Sequence, residues 1–285
     1  MLDKTVRFLK NFIRIYSDNQ IPIASAALSY YFTMTFFPLI ICLYTMLGNS
    51  YERAIRILQF IRSFVSGETM RLIEDFMSYV AANNSRAMMV AGLVVLVTSA
   101  SAASRSMQTT IGRMQGGVKY KVVMYFAFSI IFSLVLLAAI YFAVLVMLTG
   151  RQFIKTVNEL LPFIDISGSW NWMRFIVMAG IFFVLIWSVF EAAKRNIDDY
   201  STLPGTLVTT VVLVAFTLMF SEFIGRSARY PLVYGSLASL ILLMLWLYSC
   251  CIVIYSGAAI NIALRDTRNE IEAIKASAEL LDEEE

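Results

Sequence analysis

Apolar runs long enough to cross a bilayer, separated by short charged stretches, fill most of this sequence. The last of them, Leu232 to Leu264, contains no charged residue. A hydrocarbon core of about 30 Å needs roughly 20 apolar residues in helical form, so this run crosses with length to spare. Gly235, Ser239, Trp246, Ser249 and Ser256 recur at steps of three, four or seven and therefore share one helical face. Small and hydroxylated faces are where helices meet in lipid, because they let backbones approach. The last run is expected to be the central stave of a helical bundle.

The other runs predict its neighbours. A first span, from about Ile21 to Leu47, carries Pro22 near its start and Pro38 inside. Pro38 lacks a backbone donor and is expected to kink the helix. Ser25, Ser29 and Thr33 form an i, i+4, i+8 polar stripe along this span. A second span, about Ala87 to Met107, turns small and polar in its second half, where Thr98, Ser101, Arg105 and Gln108 share a face. A basic, glycine-rich turn follows, from Gly112 to Lys121. The third span, Val122 to Leu148, is uncharged. The fourth runs from about Trp172 to Phe190, with Trp170 and Trp172 suited to an interfacial aromatic belt. The fifth, about Leu203 to Phe223, is entered through Pro204 at a first-turn position.

Two stretches show amphipathic rather than spanning periodicity. In residues 1–18, Leu2, Val6, Leu9, Ile13 and Tyr16 recur at helical spacing, with Lys4, Arg7, Asn11 and Arg14 on another side. This predicts a basic helix lying on the membrane surface; the alternative is an ordinary helix packed on the bundle. No signal-peptide pattern is expected here, since the basic residues are spread through the segment. Residues 51–82 offer Ile55, Leu58, Ile61 and Val65, then Leu72, Ile73, Phe76, Met77 and Val80, broken at Ser66-Gly67. They predict two amphipathic helices on the membrane face, able also to cap the bundle.

Composition sharpens this picture. The 285 residues are 59% hydrophobic and 15% charged, against about 25% charged in soluble domains. The expected fold is all-α, an integral membrane bundle of six transmembrane helices with amphipathic surface helices. It comprises one membrane domain over residues 1–265 and an acidic cytoplasmic tail over 266–285, helical and solvated or disordered. Six spans put both termini on one face. Basic residues favour that face by a modest margin and crowd its short segments, which predicts a multi-pass protein with both termini cytoplasmic. Histidine is absent, which removes His-based zinc sites and the usual neutral-pH general base. Cys42, Cys250 and Cys251 all fall in apolar runs and are expected to be small buried hydrophobes.

Three blocks resemble the YihY/BrkB family of bacterial inner-membrane proteins, which also carries the ribonuclease BN label. They are AALSYYFTMTFFPLI at residues 26–40, the Leu203-Pro204-Gly205 entry to the fifth span, and YGSLASLILLMLWLYSCCIVIYSGAAIN at 234–261. One departure stands out, since the family commonly has Glu after Gly-Ala and this chain has Ala259. Any role of that carboxylate does not carry over. The resemblance implies a six-helix protein of the bacterial inner membrane, concerned with the envelope or with transport.

Three function classes follow: transport or handling of a lipid or other amphiphile, a membrane scaffold, and a nuclease. Nuclease chemistry wants clustered carboxylates for Mg²⁺ or histidines for zinc. The sequence has no histidine and no Asp/Glu cluster outside its tail. The net charge of +3 and sparse basic patches do not make a nucleic-acid groove. The expectation is therefore a non-enzyme with no cofactor, no metal and no nucleic-acid partner. Its expected partners are membrane lipids and an anionic amphiphile, with self-association left open. The candidate path lining is Ser25, Ser29, Thr33, Thr98, Ser101, Arg105, Gln108, Ser239, Trp246, Ser249 and Ser256. The plainer reading takes the same stripes as helix-packing seams.

Overall fold

The structure, a computed structural model, describes residues 2–46, 67–83, 85–117, 170–194, 200–226 and 238–283. Among them the chain forms seven α-helices and no strand. These are α1 (Leu2–Asp18), α2 (Ile21–Met46), α3 (Gly67–Ala82), α4 (Arg86–Met114), α5 (Trp170–Ala193), α6 (Leu203–Arg226) and α7 (Ala238–Glu283). Three stretches within them are long and apolar enough to cross a membrane, Ile21–Cys42, Arg86–Met114 and Leu240–Ser277, not the six expected. The fourth and fifth expected spans correspond to the shorter apolar stretches Ala179–Ala193 and Leu203–Thr217. The third, Val122–Leu148, lies outside the described residues, as do residues 51–66 of the first amphipathic pair.

Local chemistry sets the helix ends. Asn19 closes α1 by donating its side-chain amide to the Ile15 carbonyl at 2.9 Å. Gln20 then takes a left-handed φ of 48°, and its carbonyl accepts the first amides of α2, from Ile23 and Ala24. The two helices are thus joined by a two-residue turn. Pro22 sits in the first turn of α2, where its missing N–H costs nothing. α2 continues without interruption through Pro38. α3 begins at Gly67, at the predicted break. Ser85 caps α4 by accepting the Met88 amide at 3.2 Å. At the other end Gly116 and Gly117 adopt φ of 90° and 91°, a backbone only glycine enters without strain.

α7 is one unbroken helix of 46 residues, about 69 Å long at 1.5 Å per residue. Its part beyond Leu264 therefore extends past an apolar layer of about 30 Å, so the acidic tail is continuous with the last span. α7 packs on α1, α2, α3, α4 and α6, and α2 packs most extensively on α4. The central-stave expectation for the last run agrees with this arrangement.

Two apolar clusters sit at opposite ends of α2. One gathers Ile21, Ala24 and Leu28 with the C-terminal halves of α4 (Met107, Ile111) and α5 (Phe190, Ala193) and the middle of α7 (Tyr255, Ile262). The other joins Ile40 and Tyr44 to Met70, Ile73, Met77 and Val80 of α3, so α3 caps the far end of the bundle. α1 differs from its prediction in one respect. Asn11, placed with the basic side, is buried and donates to Thr267 Oγ1 and Glu270 Oε1, both at 3.2 Å. The helix meets the bundle through Asn11, Phe8, Phe12 and Ile15.

Candidate functional site

The polar stripes part company in three dimensions. Ser25, Ser29 and Thr33 are all buried in α2. Ser29 and Thr33 spend their hydroxyls on carbonyls of their own helix, Ala26 at 2.9 Å and Ser29 at 2.8 Å. Ser25 Oγ has no hydrogen-bond partner in the protein. On α4, Thr98 is exposed and bonds the Val94 and Val95 carbonyls, whereas Ser101 and Gln108 are buried and Arg105 is half-buried. Gln108 donates to Ser104 Oγ at 3.1 Å. On α7, Trp246, Ser249 and Ser256 are half-buried. Ser249 bonds the Leu245 carbonyl and the Trp246 indole N–H has no partner. The Ser239 side chain lies outside the described residues. The polar link between α2 and α4 is a pair the stripes omitted, Thr35 donating to Ser99 Oγ at 3.1 Å.

A second polar face of α4 points at α7. Ser106, Thr110 and Arg113 follow at i, i+4 and i+7, and Arg113 donates to Thr110 Oγ1 at 3.3 Å. Opposite them stands Tyr255, fully buried. Its hydroxyl lies beside those of Ser106 and Thr110 and within the field of Arg113, yet makes no well-formed hydrogen bond to the protein. Sequence reasoning missed this group because its stripe ran one helical step away. The signal was the repeat of Ser106, Thr110 and Arg113 at spacing four and three. With Arg105 nearby on the same helix, this end of α4 offers hydroxyls and two guanidinium groups, the chemistry that holds an anionic headgroup.

The same end of the bundle is latched by α6 and α7. Asn261 is buried; its side-chain oxygen accepts the Gly205 amide at 2.7 Å and its nitrogen donates to the Thr202 carbonyl at 2.9 Å. Thr209 donates to the Gly205 carbonyl at 2.7 Å. A Cβ on Gly257 would overlap Thr209 Oγ1, and one on Gly205 would overlap the Gly257 carbonyl and Asn261. Glycine at both positions is what lets the two backbones touch. Around this latch Thr202 donates to Glu191 Oε2 at 2.8 Å, and Lys194 pairs with Glu191 at 3.6 Å. Gln115 reaches from α4 to the Ala193 carbonyl at 3.0 Å and the Tyr200 hydroxyl at 3.1 Å. Lys194 and Arg265 lie over the Tyr200 ring. Among the described residues no group of three His, Cys, Asp or Glu is placed to hold a metal ion.

The latch unites two sequence blocks that lie far apart in the chain, Leu203-Pro204-Gly205 and Gly257 to Asn261. Comparison with known families decides what they belong to, because the Virulence factor BrkB family matches residues 12–280. The chain is a member of the BrkB family. It is similar to the ribonuclease-like protein YfkH of Bacillus subtilis, at 23% identity over 90% of this chain and 94% of that protein. A UPF0761 membrane protein of Chromobacterium violaceum is 33% identical over 31% of this chain and 21% of its own length. One from Xanthomonas axonopodis pv. citri is 23% identical over 95% of this chain and 64% of its own length. No solved structure matches. Apolar helices and membrane-protein relatives together make this BrkB member a multi-pass membrane protein. Ala259 is sealed in the main apolar cluster.

Proposed function

We propose that this BrkB-family protein handles an amphiphile with an anionic headgroup in the bacterial inner membrane, without catalysing a reaction. The observation that carries the reading is Arg105, half-buried on a helix long and apolar enough to cross the membrane. Ionisable residues inside spans are costly and are kept mostly for function. Ser106, Thr110, Arg113 and the unsatisfied Tyr255 hydroxyl extend the same polar end. The buried α2 stripe enters this reading as packing, and that burial also favours the second reading, a scaffold whose stripes are seams.

Six spans with this end cytoplasmic complete the proposal. The C-terminal halves of α4 and α5 share one apolar cluster, and the uncharged run 122–148, expected from the sequence to be the third span, lies between them in the chain. The end that holds Lys10, Arg14, Arg113, Lys194 and Arg265 suits the cytoplasmic face.

Native mass spectrometry of the purified protein with phosphatidylglycerol or phosphatidylcholine tests the headgroup. Arg105→Ala and Arg113→Ala are expected to weaken phosphatidylglycerol retention several-fold at unchanged helicity. Equal retention of both lipids by wild type and variants would leave the scaffold. The ribonuclease-like name of one relative invites a direct assay as well. Clean preparations are expected to show no metal-dependent RNA hydrolysis; turnover abolished by substituting membrane-embedded residues would overturn the non-enzymatic reading.

A further inference from the structure

α1 presents two apolar arcs, and the bundle uses one of them. Phe8, Phe12 and Ile15 belong to the main cluster, and Asn11 reaches Thr267 and Glu270 of α7. On the opposite side Val6, Leu9 and Ile13 stand at spacing three and four and are 60%, 55% and 58% exposed. Lys10 and Arg14, both exposed, border this second arc; Arg14 also pairs with Asp266 at 3.5 Å while its side chain stays 55% exposed. The position of this arc is fixed by the chain itself. The Asn19-Gln20 turn joins α1 directly to α2, whose membrane-crossing stretch starts at Ile21 and whose first turn exposes Ile23 at 66%. An apolar arc edged with cations at the mouth of a span has the chemistry of a helix seated among anionic headgroups.

We propose that α1 docks on an anionic lipid surface through Val6, Leu9 and Ile13, with Lys10 on the headgroups. In doing so it straps the emergent part of α7, at Asp266, Thr267 and Glu270, to the bilayer. The inference is independent of the α4 reading, since none of these residues belongs to α4. The test is a spin label at Leu9→Cys, in a background with Cys42, Cys250 and Cys251 changed to Ala, in the full chain reconstituted into vesicles. Ile13→Cys serves as a second reporter should either label disturb folding. In vesicles containing phosphatidylglycerol the label is expected to collide with oxygen several-fold more than with a nickel chelate. Lys10→Gln is expected to lower that ratio, and salt near 1 M to do the same, since the Debye length there is about 3 Å. Nickel reaching the label as freely as oxygen in both phosphatidylcholine and phosphatidylglycerol vesicles would overturn the docking. A ratio indifferent to lipid charge and to Lys10 would overturn the anionic preference. A label shielded from both reagents would assign the arc to a protein partner instead.

Discussion

The α6–α7 latch puts single residues under the strictest demand in the molecule. Asn261 serves two backbone groups at once, accepting from the Gly205 amide and donating to the Thr202 carbonyl. Asn261→Ala is expected to cost about 1–3 kcal/mol, the desolvation penalty of a buried group left unpaired, read as a lowered unfolding temperature in detergent. Gly257→Ala is expected to be worse, because the new methyl overlaps Thr209 Oγ1. Adding Thr209→Ala to it should recover part of the loss, whereas additive losses would show the two sites to be uncoupled. The sequence displayed Gly257 and Asn261 within a recognisable block but not their purpose. Asn261 bonds a residue 56 positions away, and no local period reports such a partner. Tyr255 escaped for a related reason, as an aromatic in an apolar run looks the same whether its hydroxyl is satisfied or orphaned.

At the scale of elements, periodicity located the described helices but passed over the second arc of α1, the one that meets protein. In water an apolar arc marks the core, but beside a bilayer both the core and the lipid take apolar side chains. Val6, Leu9 and Ile13 therefore stood out as the apolar side meant for the membrane surface, and Asn11, grouped with the basic residues, looked solvated. Its hydrogen bonds to α7 decide otherwise. Asn11→Ala is expected to loosen α1 by about 1–2 kcal/mol, seen as faster proteolytic cleavage within residues 2–18 in detergent. Leu9→Ala, on the arc facing away from α7, should leave that rate unchanged. The opposite ranking would mean that the exposed arc carries the helix contact. α3 was easier to read, since Ile73, Met77 and Val80 face one protein surface and a single apolar side sufficed.

For the whole molecule, the direction of each helix is more informative than the number of spans. α2 starts in the cluster that holds Ile21 and Leu28 and ends in the one that holds Ile40 and Tyr44. α4 runs back, from Met88 beside the second cluster to Ile111 and Met114 in the first. α5 and α7 likewise bring Phe190 and Ile262 to the first cluster. The ends of α4 and α5 and the second half of α7 therefore gather at the same end of the bundle as α1, with the α3–α4 turn at the other. Three described helices are long and apolar enough to cross a membrane, and α5 and α6 carry shorter apolar stretches, Ala179–Ala193 and Leu203–Thr217. Site-directed labelling in intact cells tests the arrangement without reference to that count. Cysteines at Gly116, Lys194 and Glu283 are expected to resist a membrane-impermeant maleimide until the membrane is opened, and one at Asn83 is expected to react at once. Gly116 and Glu283 reacting from opposite faces would break the shared-end geometry, and with it the six-span reading. Agreement of all four positions would require the chain between Gly117 and Trp170 to cross the bilayer an odd number of times, as a single pass through the uncharged run 122–148 would do.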